Sequence, residues 1–154
     1  MKRMICTLTL ALLLTAAAAQ AGRPPLGPRA GYTSWNGTSQ AHVGAQVKLG
    51  DIFPNFAFTP NFELGFGDDA TILTVNGDLA YRMTEFFRAP WGPYIGASVA
   101  FIHVNADGSS SDMGLSGLVG TTYTLNNNNE VFFEIRFSII DSPDFKATVG
   151  YTFF

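Results

Sequence analysis

The chain ends in "DFKATVGYTFF", Asp144 to Phe154. Phe145, Ala147, Val149, Tyr151 and Phe153 alternate with Lys146, Thr148, Gly150 and Thr152, and Phe154 follows one residue past the rhythm. A period of two is that of an extended strand, so the first set occupies one face and the second set the other. One face is large and apolar, and the other is small and polar with a single charge. No polar tail follows to shield the apolar face.

The same rhythm runs back through the chain, punctuated by Gly, Asn, Asp, Pro and Ser. In "AHVGAQVKLG" Val43, Ala45, Val47 and Leu49 oppose His42, Gln46 and Lys48. In "NFAFTPNFELGF" Phe56, Phe58, Phe62, Leu64 and Phe66 oppose Ala57, Thr59, Asn61 and Glu63. "ILTVNGDLAYRM", "PYIGASVAFIHV", "MGLSGLVGTTYTL" and "EVFFEIRFSII" repeat it, and a weaker run in "LGPRAGYTSW" brings the count to eight. Pro60 interrupts the second of these strands, where a missing N–H predicts a bulge or a shorter strand.

A soluble sandwich would carry Lys, Glu and Arg on its outer face. Here the second face is mostly Gly, Ala, Ser, Thr and Asn. Small polar residues inside and large apolar ones outside are the inverted pattern of a transmembrane barrel, and runs of about 9–13 residues suit a tilted crossing. Closure is then obligatory, because an open edge in hydrocarbon strands its backbone polar groups. The predicted fold is all-β: one eight-stranded, antiparallel, up-and-down transmembrane β-barrel over residues 22–154.

The opening "MKRMICTLTLALLLTAAAAQA" has Lys2 and Arg3, an apolar stretch to Leu14 and then Ala19-Gln20-Ala21. It is read as a secretory signal peptide over residues 1–21. The only cysteine, Cys6, lies within it, so the 133 residues from Gly22 onward have no disulfide or thiolate chemistry. Loss of Lys2 and Arg3 lowers the basic count from 9 to 7 against 12 acids, a balance of −5. No basic stripe points to nucleic acid.

The inward parity collects seven charges, Lys48, Glu63, Asp78, Arg82, Glu134, Arg136 and Lys146. Three acids and four bases in a lumen that eight strands just fill are expected to neutralise one another as a plug, the alternative being a conductive path. Aromatics are expected to form a girdle at the end holding both termini: Phe53, Phe56, Tyr81, Phe86, Phe87, Trp91, Tyr94, Tyr123, Phe132, Phe133, Tyr151 and Phe153. Trp35, Phe66 and Phe101 mark the other rim.

With eight alternating strands, a signal peptide and the ending "VGYTFF", residues 27–154 resemble the small outer-membrane barrels of the OmpA/OmpX/OmpW-like group. The resemblance implies a Gram-negative outer membrane and contact with its lipid and lipopolysaccharide. It also implies recognition of the last strand by the barrel-assembly machinery, with Tyr151, Phe153 and Phe154 as the signal. It further raises a lipid A hydrolase, since some such barrels resemble that with a His–Ser–acid set near the outer rim.

No GxSxG, HExxH, P-loop or metal-spaced His/Cys set occurs. His42 and His103 are the only histidines, and Ser109–Ser111 follow His103 without a tight His-x-Ser spacing. No catalytic residue, cofactor or metal is assigned. An even strand count puts Asp68, Asp69, Asp107, Asp112, Asp141 and Asp144 on the cell-surface rim. There their oxygens suit Ca²⁺ or Mg²⁺ bridging to lipopolysaccharide, or serve only as turn formers. The expected function is a non-enzymatic envelope protein or one that passes small hydrophobic molecules. The alternatives are a lipid A hydrolase and a soluble periplasmic ligand-binding barrel.

Overall fold

A computed structural model describes residues 24–67, 71–105 and 109–154. The signal-peptide reading and Asp68, Asp69 and Asp107 fall outside the described residues. Nine strands follow in chain order: β1 (Leu26–Trp35), β2 (Thr38–Val47), β3 (Asp51–Phe53), β4 (Phe56–Phe66), β5 (Thr71–Arg82), β6 (Trp91–Asn105), β7 (Ser109–Thr124), β8 (Glu130–Ile140) and β9 (Phe145–Thr152).

Eight of them form a closed antiparallel ring. Neighbours along the chain pair from β4 through β9, β1 pairs with β2 and with β9, and β2 pairs with β4. The ninth, β3, is a three-residue flap against the start of β4 at the end of the barrel that holds both termini. The β1–β2 connection is only Asn36-Gly37, both at positive φ (49° and 80°), as a two-residue hairpin of type I′ requires.

Pro60 sits inside an unbroken β4, paired with Gly77 of β5, so neither the bulge nor the shortened strand expected there occurs. Phe58 directs its N–H and C=O at Gly50 and Leu49, and strand alternation turns the backbone of Pro60 to the same side. The β2–β4 ladder has already ended there, at Gln46–Asn61. The missing donor falls where no regular ladder continues.

Burial follows the inverted pattern. Among the described residues the fully buried set holds 18 polar or charged side chains against 6 hydrophobic ones, so the interior is a polar core. Val43, Phe62, Val75, Val99, Val119, Phe133 and Val149 face outward with about half their surface exposed, forming a continuous apolar belt.

Candidate functional site: the barrel lumen

Parity and register together build the lumen. On β8, Glu134 and Arg136 point inward two residues apart, and the β8–β9 register sets Arg136 opposite Lys146. On β4 and β5, Glu63 lies opposite Thr74, and Asn61 opposite Asn76. Asp78 faces Ser98 across β5–β6. From β1, Arg29 enters the same layer, buried to 3% exposure.

Three cations and three carboxylates therefore meet at mid-depth, each 5% exposed or less. Arg136 Nη2 lies 2.5 Å from Asp78 Oδ2, its Nε donates to Glu134 Oε1 at 2.8 Å, and its Nη1 donates to Ser98 Oγ at 3.0 Å. Arg29 Nη2 donates to Glu134 Oε1 at 3.1 Å, and Nη1 to Gln46 Oε1 at 3.3 Å. Its Nε rests 2.9 Å from Glu63 Oε1 as an ion contact rather than an aligned hydrogen bond. Lys146 Nζ pairs with Glu63 Oε2. Asn61 and Ser98 complete Asp78 at 2.7 and 2.6 Å, and Tyr94 donates to Glu134 Oε2 at 3.0 Å. A buried ion is tolerable only when paired and its remaining lone pairs are met, and this layer is neutral and cross-linked across the lumen.

Above it, away from the termini, His42 bridges Thr33 and Thr148 at 2.8 and 3.1 Å, so it is an inner hydrogen-bonding residue rather than a rim histidine. Beyond it Ile72, Ala100 and Ile102 pack with Trp35 and Val104 into an apolar cap. Trp35 thus turns inward instead of marking the outer rim.

Below the layer, a cup of about 470 Å³ opens at the termini end. Tyr94 and Phe132, expected in the outer girdle, are buried and line this cup, with Arg29 stacked 5.5 Å from the Phe132 ring. Glycine makes the room. A Cβ at Gly120 would lie 2.5 Å from the Tyr94 hydroxyl, and one at Gly150 would collide with the Phe132 ring.

Five of the seven inward charges read from the sequence meet in the central layer. Lys48 and Arg82 do not. Lys48 pairs with Glu130 and Arg82 with Asp51 at the cup's rim, both partly exposed. Arg29, Asn61, Asn76 and Ser98 were not in the predicted set. Arg29 was legible only through the weak "LGPRAGYTSW" alternation, once that run was accepted as a strand.

At the opposite rim, Asp144 Oδ2 accepts the N–H of Asn36 at 2.8 Å, tying the β8–β9 turn to the β1–β2 hairpin. Asp112 and Asp141 are exposed. Among the described residues no three His, Cys, Asp or Glu side chains are grouped so that they could hold a metal ion. The β6–β7 register also sets His103 opposite Ser111, with Nδ1 2.8 Å from Oγ. This pairing across strands escapes any search for close sequence spacing.

At the last strand Tyr151 and Phe153 stack edge-on outside the barrel at 4.7 Å. Phe154 donates its N–H to Asn129 Oδ1 at 3.0 Å, and Lys48 Nζ lies 5.6 Å from its ring centroid.

No family model matches the chain, and no curated protein matches it. Solved structures do. Neisserial surface protein A aligns with a TM-score of 0.62 at 14% identity, over 83% of this chain and 93% of that one. The N-terminal β-barrel domain of Pseudomonas aeruginosa OprF aligns at 0.59 and 14% identity, over 86% and 98%. The Yersinia pestis outer membrane protein Ail in a phospholipid nanodisc aligns at 0.51 and 13% identity, over 85% and 100%. The chain has the fold of the small eight-stranded outer-membrane barrels.

Proposed function

We propose that this protein is a non-enzymatic integral outer-membrane barrel of a Gram-negative envelope, non-conducting, with a structural role in that membrane. The neutral layer of Arg29, Glu63, Asp78, Glu134, Arg136 and Lys146 carries this reading, because it fills the lumen at mid-depth. The outward apolar belt supports lipid as its surroundings over a soluble periplasmic barrel. Strand β9, with Tyr151, Phe153 and Phe154 at its end, is the segment that the assembly machinery would read. The outer-membrane lipid and lipopolysaccharide are its immediate partners, the latter at the rim carrying Asp112, Asp141 and Asp144. Planar-bilayer recording of the refolded protein tests the main point. The expected trace is flat, and steady ion-selective steps would replace the plug with a pore.

A second reading rests on one contact. His103 and Ser111 face outward beside exposed Phe101 and Met113, at the rim away from the termini. A serine hydroxyl on an imidazole nitrogen can attack an ester carbonyl while the histidine takes its proton. Among the described residues no carboxylate hydrogen-bonds to His103 to orient it. Mass spectrometry of lipid A from cells expressing the wild type or Ser111→Ala distinguishes the readings. Identical lipid A supports the non-enzymatic one, and an acyl loss that depends on Ser111 supports the hydrolase.

A further inference from the structure

We propose that the cup at the termini end is a binding site for a small amphiphilic carboxylate, an apolar chain bearing one anionic head. This goes beyond the structural role and does not depend on whether the lumen conducts.

The cup's volume, about 470 Å³, is within the roughly 300–1,000 Å³ range of small-molecule sites. Its floor offers an occupant little polar chemistry. Glu134 Oε1 already accepts from Arg136 and Arg29, and Oε2 from Tyr94. Asp78 Oδ1 accepts from Ser98, and Oδ2 from Asn61 and Arg136. Gln46 is engaged with Arg29 and Thr152, and Thr122 with the Gly92 carbonyl, so what the cup leaves for contact is ring and methyl surface from Tyr94, Phe132, Ala57 and Ala80, with the hydroxyls of Thr59 and Thr124. A charged group pushed down there would lose its water and meet at most a threonine hydroxyl, so the deep part favours an apolar chain.

The rim has the opposite character. Lys48 is neutralised by Glu130 and Arg82 by Asp51. Arg88, exposed on the 83–90 connection, lines the same cup and takes part in no ion pair among the described residues. Among the described residues lining the cup, Arg88 is therefore the rim cation without a carboxylate partner, and Glu85 of the same connection is not part of the lining. A guanidinium pairs with a carboxylate in a bidentate fork, and the two ends of the cup together define an amphiphile with its head outward.

The test titrates octanoate, with 1-octanol as its uncharged counterpart, into the isotopically labelled barrel in phospholipid nanodiscs. NMR signals of Ala57, Ala80 and Thr124 report the cup, and those of Val75 and Val99 report the lipid-facing surface. Octanoate should give saturable shifts confined to the cup. Arg88→Gln should weaken binding about fivefold, the scale of one exposed ion pair, and bring octanoate close to octanol. Ala80→Trp should abolish the shifts by filling the space. Ala57→Leu serves the same purpose should Ala80→Trp not refold. Non-saturating shifts, shifts at Val75 and Val99 only, or binding indifferent to Arg88→Gln and to the filling variants would overturn the proposal.

Discussion

Arg136 touches Asp78, Glu134 and Ser98 with its three nitrogens and is only 3% exposed. Arg136→Ala should cost about 3–5 kcal/mol, because it leaves buried carboxylates short of a cation. Urea unfolding in lipid vesicles reads that loss, and stability unchanged from wild type would mean the layer is hydrated. Val75→Arg puts a charge on the lipid face and should cost about 2–4 kcal/mol near mid-membrane. Its neighbour points the other way. Asn76 donates to Asn61 Oδ1 at 2.8 Å, so Asn76→Ala leaves a buried acceptor unmet and should cost about 1–3 kcal/mol in the same assay. Glu63, Asp78, Glu134, Arg136 and Lys146 were legible because parity alone decides which face a residue occupies. Depth was not legible. Lys48 and Arg82 share the inward parity but sit at strand ends, where the cup widens and water reaches them.

The strands themselves were readable wherever large apolar residues mark every second position, as from β4 to β9. β1 was faint, because Pro28, Ala30 and Ser34 dilute its outer face, and with it went Arg29. Aromatic type misled where parity was right. Tyr94 and Phe132 are amphipathic or bulky residues that suit an interface, yet both occupy inward positions with glycine opposite them. The β3 flap was invisible, being three residues long and held through a register shift against β4. Turn chemistry gives a prediction at this scale. Gly37 holds φ 80° in the Asn36-Gly37 hairpin, with open space around its missing Cβ. Gly37→Val should therefore cost about 1–2 kcal/mol through backbone strain alone, measured by unfolding, while Gly37→Asn should be tolerated better. Equal stability for both would mean that the turn reorganises.

At the scale of the molecule, the eight-strand ring sends every second connection to the same end. Residue 110 lies at one end and residue 128 at the other, close to both termini. Cysteines placed at Ser110 and Asn128 should be labelled by an impermeant maleimide from opposite sides of the membrane, with Ser110→Cys reacting in intact cells. Equal labelling of the two would remove the proposed orientation. The 133 residues from Gly22 onward contain no other thiol to confuse the result.

The meeting of β1 with β9 also dictates an order of events. Every other adjoining pair in the ring links strands close in sequence, whereas Arg29 reaches Glu134 across 105 residues and His42 reaches Thr148 across 106. Until the first and last strands zip together, Arg29 lacks its β8 carboxylate and Lys146 lacks Glu63 on the far wall. An unclosed ribbon would carry these bare ions and two unbonded edges into the hydrocarbon, so it has no comfortable halfway depth. Circularisation and the pairing of Arg29 and Lys146 become a single late step. The interior must stay wet while the chain descends and expel its water only when the seam shuts.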